Sequence, residues 1–235
     1  MPYKAILFDL DDTLINLRGC EAEALRRSLE AAGLTGRFRD DYASVSGVFA
    51  AISSRYWGQR GARAYTREQV LEGSLRDFLA HFELDAGLAE ALARQYWREF
   101  CRSSALNPGA LETLRHLSQR FRLGLITNGY SDSQRGRLDA AGLSAFFNPI
   151  LISEEVDSAK PDARIFDMAL DALGLFAGDV IYVGDSIAHD GAGCQRVGID
   201  FCHYLPDPAP ERALPEVTYR ISRLTDLIDL LTAAA

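Results

Sequence analysis

Apolar residues follow two different patterns along this chain. Lys4–Phe8 (KAILF) is a short unbroken apolar run that stops at Asp9, the pattern of a strand buried on both faces. From about Gly19 to Cys101 such runs vanish and a helical period takes over. It predicts helices over Glu21–Ala32, about Asp41–Trp57, Arg67–Phe82 and Ala86–Phe100. Gly33, the Gly58–Gly61 stretch and Asp85 to Gly87 supply the breaks. Asn107-Pro108-Gly109 marks a turn, and a helix follows over about Ala110–Gln119. Strands then return in alternation with helices: Arg122–Thr127, a helix over Ser131–Ala141, Pro149–Ser153, and a helix over Ala163–Leu173. Asp179–Val183, a helix near Asp190–Val197 and a last short strand at Phe201–Tyr204 continue the series, and Leu224–Leu231 reads as an amphipathic helix.

This alternation indicates an α/β fold, a doubly wound, Rossmann-like parallel sheet. The helical stretch is too long for a simple crossover. It is expected to be an all-helical domain inserted after the first strand, so that residues 1–16 and 107–235 form the core and 17–106 the insert.

Composition narrows the partners more than the chemistry. The 235 residues carry 25 Lys and Arg against 33 Asp and Glu, a net charge of −8. An acidic chain repels a phosphate backbone at long range, so no nucleic-acid partner is expected. No apolar run approaches the roughly 18 residues that span a bilayer, so no membrane partner is expected either. The opening MPYKAILFDLDDTL meets acidic residues at once and is expected to carry no secretory leader. Cys20, Cys101, Cys194 and Cys202 form no C-x-x-C pair, and free thiols in a reducing cytoplasm are the expectation. Oligomeric state is not legible.

In open α/β sheets ligands bind outside the carboxyl ends of the strands. The first strand delivers Asp9, Asp11, Asp12 and Thr13 there, and the second Thr127, Asn128 and Gly129. After the third come Glu154, Glu155, Asp157 and then Lys160; after the fourth, Gly184, Asp185, Ser186 and Asp190. Carboxylates gathered in one crevice are costly without a cation, and oxygen-only ligands point to Mg²⁺ beside a substrate phosphate. With Thr127, Asn128 and Lys160 as donors facing an anion, the set suits phosphoryl transfer through an aspartyl-phosphate.

These residues resemble the motifs of the haloacid dehalogenase-like hydrolase superfamily. Phe8-Asp9-Leu10-Asp11-Asp12-Thr13-Leu14 is similar to its D-x-D-x-T motif, and Thr127-Asn128 to its second. Lys160-Pro161-Asp162 is similar to the third, and Gly184-Asp185-Ser186 with Asp190 to the acidic fourth. The resemblance implies that Asp9 is the nucleophile and a Mg²⁺ ligand. It makes Asp11 the general acid and then base, with its backbone carbonyl on the metal. It gives Thr127 and Asn128 to the phosphate, through the hydroxyl and nearby backbone N–H groups, and Lys160 to the charge on nucleophile and phosphate. Asp185 becomes the acidic metal ligand, and Asp190 orients metal-bound water or Lys160 from behind. The helical insert resembles the family's α-helical cap, and the stretch from Ile126 to Asp162 its nucleotidase-like branch. The implied activity is Mg²⁺-dependent hydrolysis of a small phosphorylated metabolite, a nucleoside monophosphate among the candidates.

Other readings stay open at this point. A phosphomutase would share every core residue. A metal-independent 2-haloacid dehalogenase would lack the second acid, and Asp11 is present; a non-catalytic phosphate-binding regulator would have lost Asp9 or Asp185. Asp190 could be only a helix cap, His189 a solvated loop histidine, and Glu154 and Glu155 solvated acids. In the insert, Arg55, Arg60, Arg63 and Arg67 interleave with Tyr56, Trp57 and Tyr65. They could form a substrate-recognition surface of stacking rings and guanidinium groups for a nucleobase or sugar acid, and the reading we favour is an arginine-coated solvent face with the rings in the insert's core.

Overall fold

Six parallel strands lie in the order β3-β2-β1-β4-β5-β6 in the computed structural model, which describes residues 3–38, 41–206 and 217–232. In chain order the elements are β1 (Ala5–Phe8), α1 (Leu17–Ala31), α2 (Tyr42–Arg63), α3 (Arg67–His81), α4 (Ala89–Phe100) and α5 (Ala110–Leu117). Then come β2 (Arg122–Thr127), α6 (Ser131–Ala140), β3 (Ile150–Ile152), α7 (Ser153–Val156), α8 (Ala163–Leu173) and β4 (Val180–Gly184). The series closes with α9 (Ala192–Val197), β5 (Asp200–Tyr204), β6 (Tyr219–Ile221) and α10 (Asp226–Thr232). The chain falls into two compact units, Met1–Leu17 with Ser104–Ala235, and Arg18–Ser103.

The sheet unit turns on β1. Phe8 is in register with Leu125 of β2 on one side and Val183 of β4 on the other. The chain winds outward from β1 first through β2 and β3, then through β4, β5 and β6. The order therefore reverses beside β1, where a doubly wound sheet opens its crevice. All four residues of β1 and all five of β4 are buried, which is why both read as continuous apolar runs. One face of the sheet buries Leu7, Ile126 and Tyr182 against Ile165, Phe166 and Ala169 of α8 and Cys194 of α9.

The helical unit has its own core, in which Phe49, Phe78 and Tyr96 meet edge to face. Its α3 starts at a reciprocal cap: Thr66 accepts from the Gln69 N–H, and Gln69 accepts from the Thr66 N–H. Two expectations for this unit need correction. α2 runs through Gly58 to Arg63, and the helix ends instead at Ala64, whose φ of 52° is left-handed. Tyr56, Trp57 and Tyr65 are half-buried and not part of the core. Trp57 and Tyr65 line an open depression of about 500 Å³ with Arg60 and Ala64. Arg55 pairs with Asp77 at 3.1 Å, and the Arg67 guanidinium lies 4.6 Å from the Trp97 ring centre.

β6, α7 and the π-helical turn Ile187–Gly191 go beyond the sequence pattern. No helix among the described residues is long and apolar enough to cross a membrane.

Candidate active site

The loop after β1 is tied down by its own backbone. The Asp9 N–H donates to the Val183 carbonyl at 2.9 Å, so the end of β1 is locked to β4. Leu14 and Ile15 both donate to the Leu10 carbonyl, and Asp12 turns the chain with a φ of 55°. The Asn107 amide donates to the carbonyls of Asp12 and Thr13, at 3.0 and 2.9 Å. Thr13 is fully buried, and its hydroxyl donates to Asp185 at 3.3 Å. The run D-x-D-x-T is thus a rigid turn that carries acids.

Lys160 is the charge centre of the crevice. Its Nζ lies 2.6 Å from Asp9 and 2.7 Å from Asp190, and it donates to the Tyr182 hydroxyl at 3.0 Å. Lys160 is 4% exposed and Asp190 not at all, so these contacts form in a poorly solvated place. Burial pulls the lysine towards neutrality, but Asp9 and Asp190 overcome it and hold its pKa above the ordinary value. Burial drives the Asp9 carboxyl well above the usual carboxylate range; Lys160 opposes this, while Asp190 and Asp185 add to it. Burial, then the charges of Asp190 and Asp9, raise the Tyr182 phenol well above its ordinary value, and it donates to the Ile126 carbonyl at 3.1 Å.

Asp190 sits inside the π-helical turn, not at a helix start. Its Oδ1 accepts from Lys160 and lies 3.1 Å from the Tyr182 hydroxyl, and its Oδ2 accepts from the Ser186 N–H at 3.0 Å. Gly184 leaves room for that carboxylate, since a Cβ there would collide with it. Asp9, Asp185 and Asp190 each offer an oxygen within 4.8 Å of one another, and this donor set fits a hard divalent cation. Asp185 is pushed up to about 6, by burial first and then by the charges of Asp190 and Asp12. A divalent cation held by these carboxyls would favour their ionised forms. From behind, His203 is kept neutral by burial, with its Nε2 3.0 Å from the Asp185 carbonyl.

The anion side is more divided than the sequence suggests. The Thr127 hydroxyl is buried at the end of β2 with no hydrogen-bond partner, a donor available for a ligand. Asn128 is occupied: its amide donates to the Lys160 carbonyl at 2.9 Å and accepts from the Lys160 N–H at 2.8 Å. It therefore fixes the lysine's backbone. Glu154 and Glu155 are exposed yet not merely solvated. They accept from the N–H and hydroxyl of Ser131 at the start of α6, and Glu155 pairs with Arg135 at 2.6 Å. His189 is exposed, with Nδ1 3.0 Å from the Ser186 hydroxyl.

Asp11 has a neighbour the sequence reading missed. Arg137 of α6, 1% exposed, grips both of its oxygens, the Nη2–Oδ2 distance being 2.9 Å. Gln134 donates to the same carboxylate at 3.0 Å. A signal did exist: α6 reads SDSQRGRLDA, so a helix against a sheet has almost nothing apolar to bury. Its buried face had to be polar, and buried polar groups need partners.

The family model described as haloacid dehalogenase-like hydrolase matches residues 3–198. YfnB of Bacillus subtilis, named a HAD-hydrolase, is 31% identical over 97% of this chain and 95% of its own. The pyrimidine 5'-nucleotidase PynA of Streptococcus pneumoniae is 28% identical over 98% and 96%. A phosphoserine phosphatase of Thermus thermophilus is 32% identical over 83% and 86%. The crystal structure of YfnB bound to magnesium superposes with a TM-score of 0.82, covering 99% of this chain and all of that one, at 29% identity. With four acids, a buried lysine and an orphan hydroxyl on this sheet edge, and relatives that match nearly end to end, the chain belongs to the haloacid dehalogenase-like hydrolases.

Proposed function

We propose that this enzyme is a Mg²⁺-dependent phosphatase that hydrolyses small phosphomonoesters through an aspartyl-phosphate. The observation that carries the reading is the buried Asp9–Lys160–Asp190 group, at 2.6 and 2.7 Å, beside a third acid, Asp185. An Asp9 oxygen attacks phosphorus, the bond from phosphorus to the alcohol oxygen breaks, and Asp11 gives that oxygen its proton. Water then attacks the phosphorus and loses a proton to Asp11. The bond to Asp9 breaks, inorganic phosphate leaves, and both carboxyl groups return to their starting state. Lys160 offsets charge on the nucleophile, and the Thr127 hydroxyl donates to a phosphoryl oxygen.

Asp9, Asp185 and the Asp11 carbonyl would hold the cation, with Asp190 behind them on Lys160 and the Ser186 N–H. A divalent ion held there would lower the Asp9 pKa and draw charge from the phosphoryl oxygens. Magnesium in the YfnB crystal structure supports that choice of metal. We take Arg18–Ser103 as the cap and the rest as the catalytic domain. Four free thiols fit a reducing compartment, and we place the enzyme in the cytoplasm. Among substrates, the nucleotidase activity named for PynA makes nucleoside monophosphates the first choice, while the phosphoserine phosphatase keeps other esters in the panel.

Phosphate release from a panel of nucleotides, sugar phosphates and phosphoserine, with and without Mg²⁺, tests the reading. Release that needs the metal and is lost in Asp9→Asn is expected. No metal-dependent release from any ester, or full activity in Asp9→Asn, would overturn it; isomerised sugar phosphate with little free phosphate would reveal a mutase.

A further inference from the structure

We propose that Arg137 and Gln134 of α6 are positioning residues for the reaction, a two-residue clamp that sets where the Asp11 carboxylate stands. The inference rests on the reading of Asp11 as the group that protonates the leaving alcohol.

A guanidinium buried to 1% exposure is costly unless its charge is met. Here Arg137 meets Asp11 with two prongs, the arrangement that fixes a carboxylate's plane as well as its position. Gln134, 2% exposed, closes the figure: it donates to Asp11 at 3.0 Å and accepts from Arg137 Nη2 at 2.8 Å. The same Gln134 amide donates to the Asn128 carbonyl at 3.2 Å. Gly129 makes this approach possible, because a Cβ there would occupy the space of the Gln134 amide. Asp11 is thereby linked to the backbone of the loop whose Asn128 side chain fixes Lys160.

The spacing shows why one helix can do this. Gln134 and Arg137 lie three apart and share a face of α6 with the buried Ser133. The N-terminus of α6 is itself anchored through Ser131 to Glu154 and Glu155. A proton donor works only from a narrow range of positions, and small misplacements can cost up to about a hundredfold in rate. A fork from a fixed helix is a means of holding that position while the loop after β1 carries the charge.

The test uses two esters that differ in their need for an acid. A nitrophenolate leaves without a proton, whereas an alkoxide from an alkyl phosphate needs one. The ratio of kcat/KM on the alkyl ester to kcat/KM on the aryl ester reports the acid step, because kcat/KM covers everything through departure of the alcohol. In Arg137→Met the ratio is expected to fall about tenfold or more, and in Gln134→Leu by a smaller factor in the same direction. Asp11→Asn sets the scale with a larger fall. If Arg137→Met fails to fold, Gln134→Leu decides alone.

Equal losses on both esters, or no change in the ratio, would show that the clamp only supports the fold and would overturn the proposal. Asp11→Asn separates the two levels. If it lowers the ratio and the clamp variants do not, the clamp is wrong and the acid reading stands. If Asp11→Asn leaves the ratio unchanged, the acid reading is wrong, and the clamp falls with it.

Discussion

Replacing Lys160 by methionine tests the electrostatic logic of the crevice without reference to substrate. The lysine faces Asp9 at 2.6 Å and Asp190 at 2.7 Å, and at an effective dielectric near 20 each contact is worth about 6 kcal/mol of Coulomb energy. The lysine's own desolvation cancels much of this, so a net loss of about 3–5 kcal/mol is expected in Lys160→Met, typical of a broken buried pair. The loss has a pH signature. With the cation gone, the Asp9 carboxyl rises further above the range where burial already holds it. A carboxyl whose folded pKa is raised binds more proton folded than unfolded, so its stabilising effect is present at low pH and fades as pH rises through the folded value. The gap between wild type and Lys160→Met should widen between pH 5 and pH 8, by up to about 1.4 kcal/mol per unit for each proton involved. Urea unfolding in a chelator across that range measures it. Adding Asp190→Asn removes one stranded charge and should return part of the loss. A gap under about 1 kcal/mol at pH 8, or one that narrows as pH rises, would show that Lys160 does not hold the charge of Asp9 and Asp190.

Mg²⁺ should raise the melting temperature more at pH 7.5 than at pH 5, because Asp185, held near 6, and Asp9 compete for protons at the lower pH. An equal shift at both values would remove these two acids from the metal site. Gly184→Ala should push the Asp190 carboxylate from its place and lose most activity with about 1–3 kcal/mol of stability, read by phosphate release and thermal melting. Gly193→Ala meets the Phe166 ring at the α8–α9 contact and should cost a similar amount in melting while kcat stays within about twofold.

What the sequence disclosed follows from where each residue is buried. β1, β2 and β4 are covered on both faces, so their sequences carry unbroken apolar runs that no helix of this length would show. β6 has only Tyr219, Arg220 and Ile221, with Arg220 exposed and Ile221 buried, too short a run to separate from a turn. Ser153–Val156 folds as one helical turn because Asp157 ends it with a φ of 48°, a conformation that tertiary contacts select. The acids and Lys160 were legible because their positions follow strands. Arg137, Gln134 and Tyr182 were not, since their importance lies in what they touch across 126, 123 and 22 positions of chain. Asn128 was legible as a site residue, but its commitment to the Lys160 backbone is a fact of packing alone.

The charges at this edge also say how the parts depend on each other. Asp9, Asp11, Asp185 and Asp190 bring four negative charges when ionised, and Lys160 and Arg137 bring two positive ones. Each cation is already assigned, Arg137 to Asp11 and Lys160 to the pair Asp9 and Asp190, so the shortfall of two falls on the acids nearest the crevice. Asp9 and Asp185 are the acids with raised pKa values, and each is raised in part by Asp190. One divalent cation would close that shortfall, letting Asp9 act as a carboxylate while Lys160 stays protonated. Two univalent ions could balance the sum but could not bring both charges to one point among three carboxylates within 4.8 Å. The same count gives Arg137 its place. Were it absent, the Asp11 carboxylate would lose its paired cation and join the uncompensated set.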